Sequence, residues 1–380
     1  MEIGIIGYGK MGKDIFALLF DKLKTDRFTV LDLYGAEENT AAVMKSLGKS
    51  LKRNKLTEEE YEFKKDSFSF TNDINAMSKC DIIIEAVFEK MDVKKDIFSK
   101  LDAVVSEKCL LLSNTSSLSI PEVFGGISHK ERCFGLHFFY PVKLTGFVEL
   151  NILPETSQEC ISAAEKLVED IGKKPLILSG EYHIYLNQIL ACTVSHAIYL
   201  REKYGVSAAE FDKNLEDLFP TVGIFGVLDS IGLGLMAGSP DGFTIRRNQE
   251  LLAYGCQNMN KWLGEGCPKE TLCFLDFMAQ HESDTGNSCD GAELDMIALI
   301  LNETVNALED LGGNATTLIE AICDTVGIAE KPSHYYTKYG ADTIFAALEE
   351  LSHRSGFKAY EHRGKSVWDK YFSDKTGGLL

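Results

Sequence analysis

The sequence predicts an α/β domain with a mostly parallel sheet over residues 1–180, followed by an all-α region. Short apolar runs alternate with segments of helical pattern in the first part, and after residue 180 helical periodicity takes over. This alternation is typical of a sheet with helices on both faces, where ligands bind at the carboxyl ends of the strands. The apolar runs span residues 3–6, 28–31, 82–87, 109–112 and 133–136, and the helical segments span residues 36–54, 92–103 and 157–171.

The first predicted strand runs into a G-x-G-x-x-G motif formed by Gly7, Gly9 and Gly12. In a dinucleotide site these glycines make a tight turn, let the backbone approach a pyrophosphate, and let the next helix pack on the strand. Asp32 ends the second strand, twenty residues beyond Gly12, where a carboxylate accepts bonds from the adenosine ribose. These features predict a Rossmann-type site for NAD(H) rather than NADP(H), because a carboxylate there repels a 2′-phosphate. A glycine-rich turn without a ligand is the alternative.

The composition limits the class of protein. The 380 residues carry a net charge of −18, which argues against general nucleic-acid binding. No run of about eighteen apolar residues occurs, so we expect no membrane span. The chain starts inside a predicted strand, which leaves no room for a signal peptide and suggests a cytoplasmic location. The ten cysteines form no C-x-x-C pair and the eight histidines show no ligand-like spacing, so we expect reduced thiols and no metal.

One basic segment stands out against the acidic background. Between Thr40 and Thr57 there is no acidic residue, and the five basic residues are Lys45, Lys49, Lys52, Arg53 and Lys55. On a helix, the first three of these lie within about 60° of one another, at about 100° per residue. A solvated helix face is the usual meaning of such a run, and an anion site for a phosphorylated substrate handle is the alternative.

A histidine and a glutamate flank the loop near residue 143. A predicted strand ends at His137, and a second strand passes through Glu149. If the second strand returns beside the first, the two side chains face each other. A carboxylate on one imidazole nitrogen fixes the tautomer and stabilises the imidazolium, which leaves the other nitrogen as a proton acceptor. A purely structural histidine is the alternative.

Other polar side chains follow the predicted strands of the same sheet. Because the carboxyl ends of parallel strands meet at one edge, we expect these segments to converge on one crevice with His137. The hydroxyl of Ser116 is expected to enter that crevice. The polar strand ends are Asp32, Glu85–Glu89, Ser113–Ser117 and His137.

A weak internal repeat is visible in the helical region. Residues 197–212 and 305–320 align at an offset of 108, which superposes Leu200 on Leu308 and, further on, Gly232 on Gly340. This favours tandem copies of one helical domain. We therefore predict a dinucleotide-binding domain over residues 1–180, a first helical domain over 181–285, and a divergent second copy over 286–380.

The chain resembles the L-3-hydroxyacyl-CoA dehydrogenases, including 3-hydroxybutyryl-CoA dehydrogenase. The resemblance covers the first 150 residues well and is weaker through the helical part. The matching N-terminal pieces are Gly7–Gly12 with Asp32, Ile84–Glu89 followed by Val93–Lys95, Ser113–Ile120, and Gly135–Phe139. The resemblance implies an NAD-dependent dehydrogenase of fatty acid metabolism that acts on a CH–OH group.

On the substrate side, the resemblance implies that His137 is the catalytic base and Glu149 its partner. Ser116 is similar to the residue that binds the substrate 3-oxygen. Asn187 lies at the position of a second polar contact to the substrate.

On the cofactor side, Glu89 and Lys94 are similar to residues near the nicotinamide ribose. The basic segment with Lys49, Lys52 and Lys55 coincides with the region that holds coenzyme A phosphates in the family. The resemblance therefore favours the anion-site interpretation and a coenzyme A thioester as substrate.

The chain departs from the family pattern on the substrate side. Tyr140 replaces the asparagine of the usual H-F-F-N-P segment. Tyr182–Ile184 and Thr221–Val227 replace two further family segments in the helical region. Because the catalytic residues are kept, this pattern suggests an altered substrate more than lost activity.

Three functions stay open from the sequence. The first is oxidation of an L-3-hydroxyacyl-CoA, with a short chain such as 3-hydroxybutyryl-CoA favoured, or the reverse reduction. The second is the same hydride transfer on a non-CoA hydroxy acid or hydroxylated amine, and the third is a non-catalytic NAD-binding relative.

Short family members pair through the helical domain. We therefore expect either a monomer, with the two copies forming an internal pseudo-dimer, or a homodimer.

Overall fold

The structure, a computed structural model, describes residues 1–143, 145–179, 185–238, 245–311 and 315–372. The segment Tyr182–Ile184, one of the departures noted above, lies outside these residues. The chain divides into two compact units, residues 1–184 and 185–380. The first unit is α/β and the second is helical, so the predicted fold class is confirmed.

The first unit is built on a single eight-stranded sheet in the order β3-β2-β1-β4-β5-β6-β7-β8. All neighbouring strands are parallel except β6 and β7, which are antiparallel. The strands are β1 (Glu2–Ile6), β2 (Arg27–Leu31), β3 (Phe68–Thr71), β4 (Ile82–Glu85), β5 (Leu110–Ser113), β6 (Cys133–Phe138), β7 (Phe147–Ile152) and β8 (Lys174–Ser179).

Helices cover the two faces of this sheet. Successive residues of the central strands point to opposite faces: Ile82 and Ile84 join one buried apolar cluster and Ile83 joins the other. Strands buried on both faces explain the continuous apolar runs in the sequence. The helices of this unit are α1 (Lys10–Lys22), α2 (Ala36–Lys52), α3 (Glu58–Lys65), α4 (Met91–Asp102), α5 (Ile120–Val123) and α6 (Gln158–Asp170).

The second unit contains eleven α-helices within the described residues. The two longest, α7 and α13, have twenty residues each and pack against each other. The helices are α7 (Tyr185–Tyr204), α8 (Ala208–Asn214), α9 (Ile224–Ile231), α10 (Leu233–Met236), α11 (Gln249–Gly264), α12 (Phe274–His281), α13 (Ala292–Leu311), α14 (Ala315–Val326), α15 (Pro332–Tyr339), α16 (Ala341–Ser355) and α17 (Lys365–Phe372).

The helices of the second unit repeat with the offset seen in the sequence. A shift of 108 residues carries α9 onto α15 with identical bounds and brings α7 within one residue of α13. Gly232 and Gly340 occupy equivalent positions and both have positive φ, 97° and 77°, at the start of the next helix. The spacing of helices therefore follows the sequence repeat.

The segment after α12 is bound to the start of α8. The carboxylate of Glu210 accepts hydrogen bonds from the backbone N–H groups of Thr285 and Gly286, each at 2.8 Å. It also accepts one from the N–H of Ser207 at 2.8 Å. These backbone donors hold the pKa of Glu210 at about 2, because each favours the ionised form.

No helix in the described ranges is long and apolar enough to cross a membrane. In the same ranges, no three His, Cys, Asp or Glu side chains cluster as a metal site requires. All ten cysteines are free thiols. Burial raises the pKa of Cys80, Cys109 and Cys133 to about 12, so these thiols are unreactive at neutral pH.

Candidate active site

The glycine motif forms a tight loop between β1 and α1. Gly7 has φ 91°, and a Cβ on it would lie 2.8 Å from the carbonyl oxygen of Ala86. A Cβ on Gly12 would lie 1.9 Å from the carbonyl oxygen of Gly7, so only glycine lets α1 pack this closely on the loop. A Cβ on Gly9 would have no heavy atom within 4 Å apart from its neighbours in the chain. The loop is therefore packed at Gly7 and Gly12 and open at Gly9, as close approach of a pyrophosphate requires.

Asp32 lies directly after β2, at the same edge of the sheet as this loop. Its side chain is half-buried and its N–H donates to the carbonyl of Thr71 at 2.9 Å. α1 begins at Lys10, so the first N–H groups of the helix lie next to the glycine loop. The residues present thus fit NAD: a tight loop, a helix N-terminus and a carboxylate after the second strand.

His137 and Glu149 are directly opposed on the antiparallel strands β6 and β7. The imidazole Nδ1 lies 2.9 Å from Glu149 Oε2. The carboxylate is fully buried and the imidazole is 3% exposed. The ring of Phe139 packs edge-on against the imidazole at 4.6 Å between centroids. The hydrogen bond at Nδ1 orients the ring and makes Nε2 the nitrogen that remains for proton exchange.

Ser116 lies in a turn that follows β5, at the same edge of the sheet. The carboxylate oxygen Oε1 of Glu89 accepts from the N–H groups of Ser116 and Ser117, both at 2.7 Å. The same oxygen accepts from the hydroxyl of Thr115 at 2.6 Å. Burial raises the pKa of Glu89, but the Lys94 ammonium and these donors outweigh it and hold the pKa below its ordinary value. Glu89 therefore organises the Ser116 turn as an ionised carboxylate.

Lys94 is almost completely buried, on α4, between two carboxylates. Its Nζ lies 2.6 Å from Glu85 Oε1 and 3.3 Å from Glu89 Oε2. Glu85 was expected at this edge of the sheet, but no role was predicted for it. The available signal was a glutamate inside an apolar run, with a lysine nine residues later. A buried charge needs a partner, and Glu85 and Lys94 are partners for each other.

Asn114 links the Ser116 turn to the histidine strand. Its side-chain oxygen accepts a hydrogen bond from the N–H of Phe138 at 2.8 Å. Asn114 was not among the site residues predicted from the sequence. Because Phe138 follows His137 directly, this bond holds the end of β6 beside the start of the turn.

Tyr140 follows the histidine strand and contacts the glycine loop. The Nζ of Lys10 lies 3.8 Å from the centroid of the Tyr140 ring. Tyr140 is half-buried and Lys10 is exposed. The residue that departs from the family pattern thus bridges the loop after β6 and the first residue of α1.

The remaining candidate residues belong to helix α2, to the segment just after it, and to the second unit. Lys49 and Lys52 are exposed on α2, and Lys55 is exposed just after the helix. Lys52 and Lys55 line a surface pocket together with Glu58 and Glu60. Asn187 belongs to the second unit, where it is half-buried in the first turn of α7.

The mostly parallel sheet, the glycine loop and the aspartate after β2 define the first unit as a Rossmann-type dinucleotide-binding domain. Residues 2–181 match the family model described as "3-hydroxyacyl-CoA dehydrogenase, NAD binding domain". The first unit is therefore similar to the NAD-binding domain of the 3-hydroxyacyl-CoA dehydrogenases, and this match supports NAD as the cofactor.

Two curated relatives illustrate the sequence similarity. The chain is 29% identical over 276 residues to the mitochondrial hydroxyacyl-coenzyme A dehydrogenase of Sus scrofa, covering 70% of this chain and 86% of that protein. It is 29% identical over 234 residues to the fatty acid oxidation complex subunit alpha of Shewanella amazonensis, covering 61% of this chain. The match spans only 33% of the length of that subunit.

A solved structure shares the fold over nearly the whole chain. The 3-hydroxybutyryl-CoA dehydrogenase of Escherichia coli superposes with a TM-score of 0.77 and covers 99% of both chains. The two sequences are 21% identical, so the likeness concerns the fold.

Proposed function

We propose that this protein catalyses the NAD-dependent oxidation of an L-3-hydroxyacyl-CoA, with short chains such as 3-hydroxybutyryl-CoA favoured, or the reverse reduction. The observation that carries the proposal is the His137–Glu149 hydrogen bond of 2.9 Å at the sheet edge that also holds the glycine loop. A buried, oriented imidazole beside a dinucleotide loop is what proton transfer coupled to hydride transfer requires.

The proposed roles are those that the family resemblance implies for each residue. NAD, when bound, supplies the hydride acceptor. His137 Nε2 takes the proton of the 3-hydroxyl, and Glu149 stabilises the imidazolium through Nδ1. The hydroxyl of Ser116 donates to the 3-oxygen, and Asn187 is the second polar contact to the substrate. Glu89 and Lys94 support the cofactor side of the turn.

The exposed lysines Lys49, Lys52 and Lys55 are proposed to bind the phosphates of coenzyme A. Their exposure leaves the ammonium groups available to a phosphate. Glu58 and Glu60 line the same pocket as Lys52 and Lys55. Because their carboxylates repel an anion, the phosphates are expected on the side of the pocket that the lysines line. Charge reversal at Lys49 and Lys52 is expected to raise the KM for a CoA thioester at unchanged kcat. An unchanged KM would mean that coenzyme A is not the handle.

The Tyr140 departure favours one competing function. A tyrosine is longer and bulkier than the family's asparagine, and the ring of Tyr140 contacts the ammonium group of Lys10. A reshaped pocket of this kind suits the same hydride transfer on a non-CoA hydroxy acid or hydroxylated amine.

The tandem arrangement is proposed to replace a second subunit. α7 packs against α13, the helix that the 108-residue offset brings to the equivalent position. A chain with both copies makes this contact internally, so we expect a monomeric pseudo-dimer. Sedimentation that shows a stable dimer at low micromolar concentration would contradict this assembly.

One set of assays separates these functions. NADH oxidation is measured in parallel with acetoacetyl-CoA, longer 3-ketoacyl-CoAs and small free keto acids. The proposal predicts the highest kcat/KM with the short CoA thioester. Turnover of free acids alone supports the non-CoA function, and NADH binding without turnover on any substrate supports a non-catalytic relative.

A further inference from the structure

We propose that Glu85 is a positioning residue that fixes the Ser116 turn through two separate routes, one of hydrogen bonds and one that includes ion pairs. This inference rests on the proposed function, because Ser116 is the residue expected to hold the substrate oxygen. Glu85 is the last residue of β4 and its side chain is fully buried. It lies at the centre of the carboxyl edge, where β4 borders β1 on one side and β5 on the other.

The first route passes through the end of β5. The hydroxyl of Ser113 donates to Glu85 Oε2 at 2.6 Å. The Ser113 oxygen in turn accepts from the N–H of Thr115 at 3.3 Å. The carboxylate therefore directs the Ser113 hydroxyl so that its oxygen faces the start of the turn.

The second route passes through Lys94. The ammonium lies 2.6 Å from Glu85 Oε1 and 3.3 Å from Glu89, whose other oxygen binds the N–H groups of Ser116 and Ser117. Lys94 is 1% exposed, so its position depends on these two carboxylates rather than on water. Glu85 thereby fixes the position of the Lys94 ammonium, and Lys94 in turn fixes the position of the Glu89 carboxylate.

An uncharged isostere cannot serve both routes. Three donors converge on Glu85, namely Lys94 Nζ, Ser113 Oγ and the N–H of Val87. A carboxylate has two acceptor oxygens, whereas the amide of glutamine has one and presents two donors of its own. Glu85→Gln keeps the shape of the side chain and breaks at least one route.

The test compares Glu85→Gln with Asp102→Asn, a matched change in the same unit. Asp102 pairs with the buried Arg132 at 2.6 Å, away from the Ser116 turn. Amide hydrogen exchange over residues 113–119 is measured first, then kcat and KM with acetoacetyl-CoA and the Kd of NADH by fluorescence. We expect Glu85→Gln to speed exchange in that segment at least tenfold and to lower kcat at least tenfold. The Kd of NADH should change less than threefold.

The control and a coupling experiment distinguish positioning from a structural role. Asp102→Asn should lower the melting temperature without changing exchange in residues 113–119 or kcat. In a Ser116→Ala background, Glu85→Gln should lower kcat less than twofold further, because its effect acts through Ser116. Unchanged exchange in the turn, or full multiplicative losses of kcat in the double variant, would overturn the inference.

Two further results keep the test decisive. If Glu85→Gln does not fold, Ser113→Ala cuts only the first route and should speed exchange at Thr115 and lower kcat by a smaller factor. No change in exchange at Thr115 would then count against the inference. If the wild-type protein turns over no ketoacyl-CoA, the proposed function fails, and the exchange measurement alone still decides whether Glu85 fixes the turn.

Discussion

The ammonium of Lys10 lies 3.8 Å from the centroid of the Tyr140 ring, which joins the first residue of α1 to the loop after the histidine strand. The glycine loop and the loop that departs most clearly from the family pattern are therefore in direct contact. A change at either residue is expected to affect the other.

A double-mutant cycle with Lys10→Met and Tyr140→Leu measures this contact. Cation–π pairs at exposed sites contribute about 0.5–1 kcal/mol, so we expect a coupling energy of that size in urea unfolding. Tyr140→Phe retains the ring and should retain the coupling. Strictly additive losses in the double variant would mean that the two side chains do not interact in solution.

The glycine loop predicts opposite behaviour for two alanine substitutions. Gly12→Ala places a Cβ 1.9 Å from a backbone oxygen and should cost about 1–3 kcal/mol of stability, as overpacking does. Gly9→Ala meets no atom within 4 Å, so the protein should fold normally but bind NADH more weakly. Melting temperatures and NADH titrations check both. Normal NADH affinity in Gly9→Ala would place the pyrophosphate elsewhere.

The central strands that position the site were predicted from the sequence, whereas the two outermost strands of the sheet were not. The apolar runs of β1, β4 and β5 are continuous because both faces of these strands are buried. The strands β3 and β8 were missed, since both lie at the ends of the sheet and are only partly buried. The sequence of β3 alternates phenylalanine with hydroxyl residues, and the apolar run of β8 has only three residues, Leu176–Leu178.

Helix α3 was also missed, for a different reason. Only one of its eight residues, Lys64, is buried. The helix therefore lacks the apolar stripe by which an amphipathic helix is recognised in a sequence. Its start was marked by Thr57 and Glu60, which form a capping box.

The opposition of His137 and Glu149 followed from their symmetric spacing about the loop. The contacts of Glu85 and Asn114 depend on the order of strands in the sheet, which spacing along the chain does not give.

Glu89 should make stability depend on pH in the acid range. Its pKa in the folded protein is lower than the ordinary 4.5, so its ionised form stabilises the fold above that value. This contribution is lost as the pH falls through the lower folded pKa. The stability difference between wild type and Glu89→Gln should therefore be largest at neutral pH and shrink from about pH 5 downward. A difference that is constant with pH would show that the Glu89 charge is not involved.

Glu210 should protect the segment after α12 from proteolysis. The Glu210→Gln change removes the charge that binds the N–H groups of Thr285 and Gly286, so cleavage near residues 282–287 should accelerate at pH 7. In wild type the same loosening should appear only as the pH falls from 4.5 toward about 2, because the folded pKa is depressed. Glu216→Gln, at an exposed position nearby, should cleave like wild type. Equal cleavage of the Glu210 and Glu216 variants would contradict the role of Glu210.

The acid–base role of His137 is tested most directly by the kcat of His137→Gln with acetoacetyl-CoA and NADH. General acid–base catalysis contributes about 100- to 10,000-fold, so we predict a loss of kcat in that range. The Kd of NADH should stay within about twofold, because the glycine loop and Asp32 are untouched. A variant that keeps more than a third of the wild-type kcat would contradict the account.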